Sequence, residues 1–578
     1  MVICIILSSM PKNADVYILG VHDGHAAGAV LLKNGEVLAA INEERLTQIK
    51  NHACAPKFSI QKVLEIAGVS PAQITLIAVA SFIRIVTDPQ TRRKLPLFMI
   101  NEILAPYLHG ESYIRASVAL LKRIKPRTEL FDTLKTLGLA HIPLTFIEHH
   151  QAHAASAFYP RPWKDETLIF TLDGMGDGIS STVSIGKGDT IKRIAFSSFY
   201  DSVSDNIYSE ITEYLGMKRL EHEYKLMGLA PYGDYTKTMD VFRKIIRLNP
   251  KNPLTFENIS RCYSTKLQPL YQKILFQKRF DHIAAGTQFL FEELVISWVK
   301  NAIKQTGITK IAAGGGSFLN VKANMHLRAL AEIDDMFIYP AADDGGLAYG
   351  AAIEAYIQYC KKNNITSAIP AIGPIYYGQE FTNDAIVETL KKKKLIRKAQ
   401  KTDPQHIASL IAAGKIVAHF AGRDEWGPRA LGNRSIIADP RNLAVVARLN
   451  QVIKQRDFWM PFAPAILEND QEKYIVSPRF SPFMTETFAT TVRAQREIVA
   501  TIHPADKTAR VMTVNKWNTK FYEIIKSFKK KTKVGAVLNT SFNLHGFPLV
   551  STPEQALWTF QNSGLDALVL EDWIISKA

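Results

Sequence analysis

Twice in this chain a strand runs into a glycine-rich turn and comes back as a second strand, first in VYILGVHDGHAAGAVLLKNGEVLAAIN from Val16 and again in LIFTLDGMGDGISSTVSIGKGD from Leu168. In the first copy Val16 to Gly20 and Ala29 to Leu32 read as strands, Lys33 to Gly35 as an Asn-Gly turn, and Val37 to Asn42 as the returning strand. Alternating apolar stretches bounded by Asn-Gly are a hairpin signal, because that pair accepts the positive backbone angles of a tight turn. Ser59 to Gly68 then carries helical spacing and Leu76 to Ser81 returns to strand. The sum is a hairpin followed by β-α-β inside an α/β domain. Two openings of one form predict a duplicated fold with a cleft between its halves.

Between the copies, roughly Arg93 to Leu139 reads as a mostly helical insertion. Ile283 to Thr306 predicts a long amphipathic helix, followed by a strand at Lys310 to Ala313 and a glycine loop at Gly314 to Gly316. Pro370, Gly373, Pro374 and Gly378 punctuate the chain, which places a domain boundary there: residues 1–369 in one unit and 370–578 in a second α/β or α+β unit. The apolar opening Val2 to Leu7 falls well short of the ~18 residues a membrane span requires. It also lacks a preceding basic segment and a cleavage site, so it is expected to be an extension or first strand, and the protein to be cytoplasmic with no membrane partner.

Cys4, Cys54, Cys262 and Cys360 show no CxxC spacing, which argues against a disulfide framework or a thiolate zinc site. A formal charge of +16 raises anionic ligands or nucleic acid as partners. The clusters at Arg92 to Lys94, Lys391 to Lys394 and Lys526 to Lys533 lack the interleaved aromatics of a base-stacking platform. They read as solvated helix ends or loops, and nucleic acid is not an expected partner.

The sharpest local signal is EHHQAHAASAF, in which His149 and His153 are one helical turn apart and share a face. Two imidazoles so placed can chelate a divalent cation, but the spacing alone more often marks a polar surface and needs oxygen partners. Asp173 offers one where a strand meets Gly174, at the carboxyl end of a strand where α/β proteins place ligands. Asp343 and Asp344, in YPAADDGGLAYGAA, offer the other, although Asp-Gly turns are also common structural devices.

GGGSFLN, Gly314 to Asn320, follows a strand and opens a helix, a geometry suited to nucleotide phosphate. The opening GVHDGHAAGAVLL resembles the first phosphate loop of the actin, heat-shock-70 and sugar-kinase superfamily, with His22, Asp23 and His25 on its turn. Farther on, Arg423, Arg429, Arg434, Lys454 and Arg456 concentrate positive charge around GPRALGNRS and KQRDFWMPF, matching a ligand with several phosphates. A salt-bridged surface is the alternative, and Trp426, Pro428, Trp459 and Phe462 are unusual neighbours for one.

The motifs GVHDGHAAGAVL, EERLTQIK, EHHQAHAASAF, LDGMGDG, YKLMGLAPYG, GGGSFLN, GRDEWGPRALGNRSI, KQRDFWMPFAPAIL and LNTSFNLHGFP resemble, in this order, the O-carbamoyltransferases of natural-product biosynthesis. The resemblance implies an actin/sugar-kinase/heat-shock-70-like duplicated N-terminal domain for metal-dependent carbamoyl transfer. It implies a C-terminal α/β domain similar to the threonylcarbamoyl-adenylate synthase fold, making carbamoyladenylate from carbamoyl phosphate and ATP, with Mg2+ accompanying the ATP. Carried over residue by residue, His149, His153, Asp173 and Asp343 would ligate a divalent metal, Fe2+ in this family, with Asp344 the alternative to Asp343.

His22 would be the general base toward a small-molecule hydroxyl acceptor. Lys50, Gly315, Gly316 and Asn320 would hold the adenylate, and Lys454 and Arg510 would serve adenylate formation together with Arg423, Arg429, Arg456, Asn539, Ser541 and Asn543. The last motif departs from the family form NTSFN-x-RGEP, since His545 and Phe547 replace its Arg and Glu. The fold also supports sugar kinases, and kinship with tRNA-modifying enzymes supports an RNA substrate; these are the rival readings. The oligomeric state is left open, a homodimer being one outcome.

Overall fold

The computed structural model of the chain describes residues 15–82, 127–263, 266–454 and 457–577, the side chains of Val452 and Lys454 excepted. Most of the insertion expected at 93–139 therefore lies outside the described residues. The first sheet contains β1 (Tyr17–His22), β2 (Gly28–Lys33), β3 (Glu36–Asn42), β4 (Leu76–Ala80) and β5 (Leu144–Ile147), in the order β3-β2-β1-β4-β5. β1, β2 and β3 run antiparallel, with Gly20 opposite Val30 and His22 opposite Gly28, while β4 and β5 continue parallel to β1. The first strand thus reaches past Gly20 and delivers His22 at its end.

The second sheet repeats the plan with β6 (Thr167–Gly176), β7 (Ile179–Lys187) and β8 (Thr190–Ser198). After a small hairpin, β9 (Ile246–Leu248) and β10 (Phe256–Asn258), it is completed by β11 (Lys310–Gly314) and β12 (Asp335–Ile338). Its order is β12-β11-β6-β7-β8, the first sheet's order with the corresponding strands in place. β6 to β8 are antiparallel and β11 and β12 parallel to β6. Hairpin, central strand, then two parallel strands, written twice, is the duplicated actin and sugar-kinase arrangement.

Two helices fill the space between these sheets: α2 (His149–Phe158) against β6 and β11, and α5 (Leu347–Lys362) against β1 and β4; the helices also pack on each other. In chain order the other helices named here are α1 (Lys57–Ala67), α3 (Phe280–Thr306) and α4 (Val321–Arg328). Both central helices are rich in alanine and buried along nearly their whole length, so the contacts are backbone to backbone. A Cβ on Gly20 would lie 2.0 Å from the carbonyl oxygen of Ala348, and one on Gly350 2.0 Å from that of Ala152. Side chains at those positions would pry the helices away from the strand and from each other.

The third sheet is mixed, in the order Ala399–Lys401, Trp573–Ser576, Ala567–Leu570, Val417–Phe420, Arg434–Ala438, Ala536–Ser541, Ala463–Leu467, Met512–Val514. Period-two alternation sorts its residues between two apolar layers. Val417, Ile437, Val537 and Val569 face the layer of Phe521 and Ile524, while Ala418, Ile436, Leu538 and Leu568 face that of Leu557 and Phe560. This part grips the first two sheets through specific bonds. Trp426 Nε1 donates to Tyr339 Oη at 3.1 Å, Arg45 Nη2 to the Gly427 carbonyl at 2.7 Å, and Asn324 Nδ2 to the Thr485 carbonyl at 2.7 Å. Lys322, also on α4, pairs with Asp506 and Thr508. Among the described residues no helix is long and apolar enough to cross a membrane.

Candidate functional site

Helix α2 starts where β5 ends. Glu148 caps it, accepting from the amides of His150 at 3.0 Å and Gln151 at 2.8 Å, and is itself held by Arg193. This start puts His149 and His153 on the face toward β6, their Nε2 atoms 3.1 Å apart. Asp173 points at both, its Oδ2 3.2 Å from His149 Nε2 and 3.4 Å from His153 Nε2. The fourth group is Asp344, whose Oδ1 lies 3.5 Å from each imidazole. One atom from each of the four lies within 4.8 Å of all the others.

The glycine loop holds the two carboxylates in place. Gly315, at φ +97°, donates its amide to the Ala342 carbonyl at 2.7 Å, and a Cβ there would strike the Leu172 carbonyl at 2.3 Å. One residue thus ties the strand before Asp173 to the turn that carries Asp343 and Asp344. Gly316 leaves room beside Asp173, 3.1 Å from its Oδ1 to a built Cβ.

Of the two acids expected here, the geometry brings Asp344, the alternative, to the imidazoles. Asp343 is extended (φ −73°, ψ −176°) before a tight turn, and among the described residues Asp344 is the one of the two that belongs to the four-atom cluster. Burial, then the neighbouring Asp344 and Glu44, push the Asp343 carboxyl up to about 6, while Arg429 and His25 act in the opposite sense.

Electrostatics within the cluster follow from burial of opposite charges. Burial alone would strip the proton from His149, but Asp344 and Asp173 outweigh it and push the imidazole up to about 9. His153 is raised by the same two carboxylates against the same burial. Asp173, despite burial, is held well below the usual carboxylate range by the two imidazoles. Asp344 Oδ1 is buried and accepts no hydrogen bond among the described residues. Two imidazoles and two carboxylates, one of them with a buried oxygen left without a hydrogen bond, make a donor set that fits a divalent cation.

His22 lies in the same pocket. Burial pushes it down to about 3, helped by the positive charge of His149 and Arg127 and opposed by Asp344. Its Nε2 is 3.0 Å from the His25 carbonyl and its buried Nδ1 has no hydrogen-bond partner among the described residues. The ring is therefore neutral with its proton on Nε2, leaving an open lone pair on Nδ1.

The residues expected to hold nucleotide divide. Asn320 caps α4 through the Ala323 amide at 3.1 Å and exchanges amide hydrogen bonds with Gln288, so its side chain is spent on the helix start. Lys50 is partly exposed, 3.8 Å from Glu221. Arg429 stands close enough to Asp343 for its charge to act there. Arg510 is half-buried between Thr508–Ala509 and Met512–Val514. Asn539 donates to the Ala430 carbonyl at 3.0 Å and leaves its buried Oδ1 open, while Ser541 donates to Asn543, which closes its turn on the Phe547 carbonyl. Arg456 and the side chain of Lys454 lie outside the described residues.

Arg423 and Arg434 depart from the expected phosphate cluster. Arg423 donates to the carbonyls of Leu38, Tyr377 and Gly378, and fully buried Arg434 to those of Ala421, Gly422, Asn433 and Gln379 while stacking 3.7 Å over Phe420. These bonds to carbonyls shape the loop, while the buried Nε of Arg434 has no hydrogen-bond partner among the described residues. The reading of the sequence also missed Glu425. Its Oε1 accepts the amides of Leu431, Asn433 and Arg434 at 2.8, 2.9 and 3.0 Å, folding the loop that presents Arg429. Its place inside GRDEWGPRALG was the available signal.

Comparison with known proteins agrees with this layout. Residues 17–353 match the family Carbamoyltransferase N-terminus, and residues 408–577 match Carbamoyltransferase C-terminus. The chain is 31% identical to the uncharacterized protein sll1178 of Synechocystis sp., over 96% of this chain and 95% of that one. It is 32% identical to nodulation protein NolNO of Sinorhizobium fredii, over 99% of this chain and 81% of that one. It is 26% identical to the 3'-hydroxymethylcephem-O-carbamoyltransferase of Amycolatopsis lactamdurans, over 63% of this chain and 66% of that enzyme. With family matches that together run through both the duplicated sheets and the third sheet, this chain belongs to the carbamoyltransferase family.

Proposed function

We propose that this carbamoyltransferase is driven by ATP: residues 370–578 form carbamoyladenylate from carbamoyl phosphate and ATP, and residues 1–369 pass the carbamoyl group to a hydroxyl of a small-molecule natural product. The observation that carries the reading is the convergence of His149, His153, Asp173 and Asp344 within 4.8 Å, beside a neutral His22 with an open nitrogen. A sugar kinase of the same fold has no task for that cluster.

Those four residues would hold a divalent cation, iron by the family resemblance, which would supply Lewis acidity toward the carbamoyl group. His22 Nδ1 accepts the proton of the acceptor hydroxyl as its oxygen attacks the carbamoyl carbon and AMP departs. Burial keeps the imidazole neutral and ready for that proton. Gly316 leaves space beside Asp173, and Lys50 contributes positive charge toward the departing nucleotide. For adenylate formation the reading assigns Lys454, Arg456, Arg429 and Arg510 to the phosphates, with Mg2+ accompanying ATP. Arg423, Arg434 and Glu425 set the shape of the loop.

The test supplies ATP, Mg2+ and carbamoyl phosphate without RNA and resolves the phosphate products. Pyrophosphate release that depends on carbamoyl phosphate is expected. ADP formation in its place, or a requirement for RNA, rejects the reading.

A further inference from the structure

We infer that Ser81 is a positioning residue for the cation site, holding His149 in the one tautomer that can ligate; this rests on the metal reading above. Ser81 is the first residue beyond β4 and belongs to none of the motifs. It is 3% exposed and sits at φ +70°, the left-handed region that a residue with a side chain seldom adopts. Its amide donates to the Ile147 carbonyl at 2.7 Å, which fixes it against the last residue of β5, two positions before His149. In that pose its Oγ is 3.0 Å from His149 Nδ1.

The other ring nitrogen decides what this contact does. His149 Nε2 faces Asp173, Asp344 and His153 at 3.2, 3.5 and 3.1 Å, so Nε2 is the ligand atom and must carry a lone pair toward a cation. The ring proton then belongs on Nδ1, and Ser81 Oγ is the acceptor standing there. Asp177 secures both ends of the contact, its Oδ2 accepting from the His149 amide at 2.8 Å and the Phe82 amide at 2.9 Å. Strained backbone that persists beside a site is held there by its surroundings, and here the strain aims a hydroxyl.

The experiment uses the full chain stripped of metal, titrated with Co2+ and followed by calorimetry and by the visible absorption of the bound ion. Ser81→Ala removes the hydroxyl at the same backbone strain, and Ser81→Gly removes the hydroxyl and the strain together. Both variants are expected to bind Co2+ about 10- to 100-fold more weakly and to shift its absorption bands, the range typical of partners that orient a ligand histidine. Ser81→Gly should melt no lower than the unmodified chain. Unchanged affinity and spectrum in both variants overturn the inference while leaving the metal site standing. Loss in Ser81→Ala with retention in Ser81→Gly also overturns it, because backbone conformation would then be the determinant. Failure of the unmodified chain to bind Co2+ removes the metal reading and this inference together.

Discussion

Asp23 and Asp173 hold equivalent places in the two halves, each followed by glycine where the first strand of a sheet gives way to its turn. Asp23 is buried against Arg127, 3.2 Å from its Nε, whereas Asp173 is half-buried against two imidazoles at 3.2 and 3.4 Å. The partner decides the outcome. A guanidinium keeps its charge at every accessible pH, so the Asp23 pair is closed. An imidazole can give up its proton, so the charge facing Asp173 can be exchanged for that of a metal ion. One turn, used twice, supplies an ion pair on one side of the cleft and, in the proposed function, a ligand on the other.

Four experiments press on that contrast. The largest effect is expected from Asp173→Asn or His153→Ala, which should abolish stoichiometric metal binding and lower carbamoyl transfer by about three orders of magnitude or more, as loss of several kcal/mol of Lewis-acid stabilisation implies. Metal analysis beside a transfer assay reads both. Asp23→Asn should instead act on folding, costing about 3–5 kcal/mol by removing one charge of a buried pair. Denaturant unfolding measures this, and loss of metal binding in the folded variant would erase the distinction between the two turns.

His22→Asn should lower transfer by about 10²- to 10⁴-fold while metal binding and ATP-to-pyrophosphate chemistry persist, since general base work belongs to the second step alone. Equal loss of both activities would reject that role. The smallest effect is expected at the adjacent acids. Asp344→Asn should weaken metal binding at least as much as loss of an orienting partner does, about 10- to 100-fold. Asp343→Asn should change it far less, and the reverse ranking would restore Asp343 as the ligand.

Local features made much of the duplicated fold legible. Hairpin turns at Asn34-Gly35 and the glycine-rich stretch before Ile179 mark their strands directly, because turn chemistry and alternation are written in consecutive residues. The central packing was hidden. α2 and α5 carry alanine and glycine on nearly every face, so no apolar stripe announces which side is buried. The four site residues could be picked out as types in suggestive places, but that Asp344 Oδ1 lies 3.5 Å from both imidazoles is visible only in the fold. At Arg423 and Arg434 the sequence displays the charges and conceals which carbonyls will meet them. Ser81 carried no pattern at all, since a strained hydroxyl becomes visible only with its histidine beside it.

The close seating of α5 on β1 and on α2, glycine facing carbonyl at Gly20 and at Gly350, has a bearing on how such a protein can diversify. Where two peptide backbones touch, the gap between them is set by bond lengths and atomic radii, and no exchange of rotamers can retune it. The dimensions of the cage formed by the helix histidines and the Asp344 turn are thereby insulated from drift elsewhere. Surface segments can be rewritten while the chamber enclosed by these residues keeps its calibre.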